Sequence, residues 1–115
     1  MALVLAVAIP ATAQINPFRS SSKYGPQLSD EDLNRLFASV AQLNAENSIK
    51  VGASQGWNNP ATGSHGTSVV TRIFDSAGLP CHLLHHEISA QGRIPPGQYD
   101  FTWCRAPDGA WKIKS

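Results

Sequence analysis

The sequence is short of charge, short of cysteine and free of long apolar runs. Only 15% of its 115 residues are Asp, Glu, Lys or Arg, and the net charge is +1. Composition therefore makes no electrostatic case for nucleic acid or for an anionic membrane surface as a partner. The apolar run from Met1 to Ile9 is too short to span a bilayer, which takes about 20 residues. Ser54 stands in Gly52-Ala53-Ser54-Gln55-Gly56, the spacing of a nucleophile elbow, but no oxyanion-hole element accompanies it, and no lysine and helix follow the glycines near Gly63 and Gly66. Neither a hydrolase nucleophile nor a phosphate loop is legible. The cysteines, Cys81 and Cys104, are too far apart for a Cys-x-x-Cys motif.

What is present begins with an export-like start. The apolar run is followed by Ala11-Thr12-Ala13, a small-x-small cleavage signal, although basic residues are missing ahead of it. Residues 1–13 are expected to be a signal peptide cut after Ala13, and no cysteine follows the cut to carry a lipid. Residues 14–27, polar and irregular with Phe18 and Tyr24, read as a linker. Residues 28–115 remain as one small domain. Frequent Gly and Pro suit a loop-rich exported domain better than a helical bundle.

The clearest element is a helix after Ser29. Ser29 is a good N-cap and Asp32 stands three residues on, as in a capping box. Asp30, Glu31 and Asp32 place negative charge where the helix dipole favours it. Leu33, Leu36, Phe37, Val40 and Leu43 form one apolar stripe that must lie on something, and a small sheet is the natural partner.

The rest reads as short strands and turns. Ile49–Ala53 is expected as a first strand and Gln55–Gly66 as a turn-rich loop, because Asn59-Pro60 and Thr62-Gly63 break structure. Thr67–Phe74, Cys81–Ile88, Gln98–Arg105 and Trp111–Ile113 follow as strands. The implied fold is α+β: one N-terminal amphipathic helix on a four- to five-stranded antiparallel meander. After an export signal, two cysteines suggest one disulfide; free thiols for metal or redox chemistry are the alternative. If Cys81 faces Cys104, Leu84 meets Phe101 and His86 meets Tyr99. His82, Leu84, His86, Ile88, Tyr99, Phe101 and Trp103 then share the core face. Leu83, His85, Glu87, Asp100 and Thr102 share the other face with the bridge.

The candidates for chemistry are few. His82 and His86 share a face, with His85 opposite and His65 distant, which falls short of a metal-ligand set. His85, Glu87 and Asp100 read as cross-strand polar pairs rather than an acid/base group. No catalytic residue, metal or cofactor is expected. Trp57, with Asn58, Asn59 and Pro60, is the candidate contact for a partner; the competing reading folds Trp57 back onto the core.

The segment Trp57-Asn58-Asn59-Pro60-Ala61-Thr62-Gly63-Ser64-His65-Gly66-Thr67, then Cys81, then Cys104-Arg105-Ala106-Pro107-Asp108-Gly109-Ala110-Trp111, resembles the C-terminal domain of the 17 kDa outer-membrane surface antigen family of alphaproteobacteria. The resemblance spans Gly52 to Ile113. His82 stands where the family commonly has Arg, and the family's lipobox cysteine and glycine zipper are missing here. The resemblance implies a non-catalytic exported cell-envelope protein, periplasmic or associated with the outer membrane, that works as a structural or adaptor element through contacts with envelope proteins. The alternative is a periplasmic small-ligand-binding or inhibitor module with a pocket between helix and sheet.

Overall fold

The computed structural model describes residues 28–90 and 95–114. The expected signal peptide and linker lie outside the described residues, as does Gln91–Ile94 of the loop expected between the third and fourth strands. Helix α1 runs Asp30–Asn44 and precedes all five strands of the described chain. Its capping box is formed as the spacing predicts. Ser29 Oγ accepts from the Asp32 N–H at 3.0 Å, and Asp32 Oδ2 accepts from the Ser29 N–H at 3.0 Å. Leu33, Leu36, Val40 and Leu43 are buried, and Phe37 is half-buried beside them.

The strands are β1 (Ser54–Asn59), β2 (Ser64–Ser76), β3 (Leu79–Ser89), β4 (Gly97–Arg105) and β5 (Trp111–Ile113). They form one antiparallel sheet in sequence order. Two expectations are corrected. Ile49–Ala53 is not a strand but a turn that clips to β2: Gly52 N–H donates to Val70 C=O at 2.8 Å, and Val70 N–H to Ala53 C=O at 2.9 Å. Gly52 takes φ +98°, open to glycine and costly for other residues. The supposed loop Gln55–Gly66 is instead the first hairpin. Only the segment Pro60–Gly63 turns. Thr62 and Gly63 N–H groups both donate to Asn59 C=O, at 3.1 and 2.7 Å, and Gly63 has φ +82°. β1 buries just Trp57 and Asn59 among polar neighbours, which leaves only a faint period-two signal in the sequence.

The register of β3 against β4 is the expected one, with Cys81 opposite Cys104, Leu84 opposite Phe101 and His86 opposite Tyr99. Cys81 and Cys104 form the disulfide. Their Cα atoms are 4.1 Å apart, the spacing of a non-hydrogen-bonded antiparallel pair. The core face carries His82, Leu84, His86, Ile88 and Trp103, all buried, and half-buried Tyr99 and Phe101. α1 lies mainly over β1 and reaches β4 through Phe37, edge-on to Trp103 at 6.2 Å. A bulge between Val70 and Arg72 brings Ile73 opposite His82.

The bridge face holds a second, smaller packing. Phe74 is the β2 partner of Cys81, and the Arg72 guanidinium sits 4.3 Å over its ring. Lys114 Nζ donates to Ser76 Oγ at 2.9 Å, joining the end of β5 to the end of β2. Among the described residues no helix is long and apolar enough to cross a membrane.

Candidate functional site

A buried polar line joins three side chains from β2, β3 and β4. His86, fully buried, has Ser68 Oγ 2.6 Å from Nδ1 and receives the Trp103 indole N–H at Nε2, 3.2 Å. An indole N–H only donates, so Nε2 is the acceptor and the neutral ring carries its proton on Nδ1, donating to Ser68. Serine beside histidine resembles a nucleophile and its base, but the proton runs the wrong way for that chemistry. The ring gives a proton to Ser68 and has no lone pair free to take one. Burial, with a smaller push from the charge on His85, lowers His86 to about 4; Asp100 pulls weakly the other way.

On the opposite face His85 is in the reverse situation. Its Nδ1 lies 2.8 Å from Asp100 Oδ1 and its Nε2 2.8 Å from Gln98 Oε1. Both nitrogens face oxygen acceptors, so the ring is stable as the doubly donating cation. The Asp100 bond first, then the Gln98 bond, raises its pKa above 6.5. Gln98 Nε2 donates onward to Glu87 Oε2 at 3.2 Å. His82, under the last turn of α1, donates from Nδ1 to Asn44 Oδ1 at 2.8 Å and stacks on Trp111 at 4.3 Å. Burial lowers its pKa. Asn44 Nδ2 is buried without a hydrogen-bond partner. His65 is exposed on β2. Among the described residues no three His, Cys, Asp or Glu side chains converge as a metal site.

The residues singled out for partner contact divide. Asn58 and Pro60 are exposed; Trp57 and Asn59 are inside. Trp57 lies across Gly66, its partner on β2, where a Cβ would come within 2.7 Å of the indole nitrogen. Asn59 Nδ2 and Thr62 Oγ1 each donate to Asp32 Oδ1 at 2.8 Å, and Asn59 Oδ1 accepts the Ala61 N–H at 3.2 Å. The turn is thereby stapled to the start of α1. Burial pushes the Asp32 carboxyl up, but its bonds from Ser29, Thr62, Asn59 and Ser64 together hold it below 3.8. Sequence reading gave Asp32 only its capping role. Nothing in the spacing told that Asn59 and Thr62, 27 and 30 residues on, share the same carboxylate.

The terminal segment is engaged in the same way. Asp108 Oδ1 accepts the Ala110 N–H at 2.9 Å, Gly109 takes φ +90°, and Ala106 exchanges hydrogen bonds with Gly109 and Ala110. Trp111 then stacks on His82. Trp57, Asn59, Thr62, Gly63, Cys81, Cys104, Asp108, Gly109 and Trp111 thus each have a job in building the fold. Comparison of the chain with protein-family models, curated proteins and solved structures gives no match.

Proposed function

We propose that this chain is a non-catalytic exported protein of the cell envelope, of the surface-antigen type, acting as a structural or adaptor element through contact with another envelope protein. The Cys81–Cys104 bridge supports the exported part of this reading, because such bridges persist in oxidising compartments. The observation that carries the contact part is a pair of large apolar side chains left at the surface, Val51 at 62% and Ile73 at 42% exposure. Ile73 lies opposite His82, whose ring stacks on the half-buried Trp111. Large apolar side chains left exposed suit an apolar segment of a partner better than water.

Trp57→Ala is not a usable test of contact, since Trp57 belongs to the core. The test is cross-linking in intact cells, followed by mass spectrometry, with wild type and with Ile73→Asp. Ile73→Asp should keep its thermal midpoint and lose the cross-linked envelope protein. Retention of the same partner by Ile73→Asp would reject this contact. A clean wild-type monomer would reject the adaptor role, and a screen for ligand-dependent thermal stabilisation would follow.

A further inference from the structure

We infer that His86 is an acid-operated latch that holds Trp103, and with it the Phe37 contact between α1 and β4, in place. The argument is independent of the envelope reading. The His86 ring ties β2, β3 and β4 together, through Ser68 and Trp103. Its two nitrogens are committed to unlike partners. Ser68 can accept or donate, but the Trp103 indole N–H can only donate. A second proton on the ring therefore lands on Nε2 and sets two N–H groups against each other across 3.2 Å. One of the rings must turn away. Trp103 meets His86 edge-on at 6.0 Å on one side and Phe37 of α1 at 6.2 Å on the other. A rotation of Trp103 therefore removes the ring that Phe37 meets where α1 reaches β4.

The charged groups facing His86 are few. On its own strand buried His82 shares the core face and pairs with Trp103, while His85 lies on the opposite face and as a cation opposes protonation; Asp100 on β4 favours it. Among the described residues, α1, β1 and β2 present Leu36, Val40, Phe37, Trp57, Val70 and Ser68 on the core side, and the buried Asp32 carboxylate of α1 is committed to Ser29, Asn59 and Thr62. The clash of the two N–H groups is relieved when the ring turns out, so the proton selects an open arrangement in which the ring reaches water. With 6.5 as the value in the open arrangement and about 4 in the closed one, the proton prefers the open one ~300-fold.

The test follows the Trp103 indole N–H and the His86 ring by NMR from pH 7.5 to 4, with far-UV circular dichroism alongside. The latch predicts that the Trp103 indole signal shifts or broadens in step with His86 below pH 6, while the far-UV signal of the sheet persists. His85→Gln removes the opposing charge from an exposed position, and should move that transition to higher pH. His86→Phe should abolish it; if that variant does not fold, the His85→Gln shift still decides the matter. A Trp103 signal that stays unchanged to pH 4 would overturn the latch. So would loss of all secondary structure in the same step, or a transition that His85→Gln leaves in place.

Discussion

At the scale of single residues, the fold rests on buried polar groups whose partners are fully specified. Asp32 is the clearest case, receiving hydrogen bonds from Ser29, Asn59 and Thr62. Removing the carboxylate leaves several buried donors unpaired, so Asp32→Ala should cost about 3 kcal/mol in urea unfolding. His86 governs the acid side. Its folded value is below its unfolded 6.5, so the unfolded chain binds the proton more readily. Its contribution is complete above pH 6.5, declines as pH falls through the interval, and levels off below about 4, a loss of ~3 kcal/mol. Buried His82 acts in the same direction. His85 has the opposite sign: its contribution is present below 6.5 and is lost as pH rises through its raised value, and its exposure keeps that effect small. Unfolding midpoints measured at half-unit steps from pH 4 to 8 should fall on the acid side of 6.5. A flat profile there would contradict the burial of a neutral His86.

At the scale of elements, the two long hairpins depend on their turns in different ways. The β1–β2 turn is held by side chains, with Asn59 and Thr62 bonded to α1, and its Gly63 carries the left-handed residue. The β2–β3 turn instead places Ala77 at φ +52° before Gly78 at φ +81°. Both central residues have positive φ, as in the tight hairpin turns that favour Asn-Gly. Alanine in that region is strained by about 1 kcal/mol, so Ala77→Asn should raise the thermal midpoint by several degrees for a domain of this size. An unchanged or lower midpoint would mean that the turn tolerates alanine without strain. The sequence made α1, β3, β4 and β5 legible because each has a strong local signature: a cap and stripe, β-branched or aromatic alternation, a cysteine at a fixed register. β1 had none of these, and its single tryptophan served equally well as a loop anchor or a core residue.

At the scale of the whole molecule, the sheet is closed down on its two faces by different means. On one face Leu84, Ile88 and Trp103 join the α1 stripe in one buried core; on the other the bridge, Phe74 and the Lys114–Ser76 bond gather the far ends of the strands. The disulfide spans a sequence separation of 23, and in the chain-entropy view a loop of that size is worth about 3 kcal/mol. Reduction under native conditions should lower the unfolding free energy by about that amount, and the oxidised protein should show no free thiol after denaturation. The sequence by itself determined the helix and its cap, the antiparallel meander, and the β3–β4 register once Cys81 faced Cys104, because capping, alternation and a covalent bond act over short or fixed chain distances. Only the tertiary structure decided that Trp57 lies inside, that Asp32 is shared by residues of a distant turn, and that neighbouring His85 and His86 carry opposite electrostatic fates. Those outcomes depend on which groups meet across strands and on how much water remains between them, and a linear order of residues does not encode either directly.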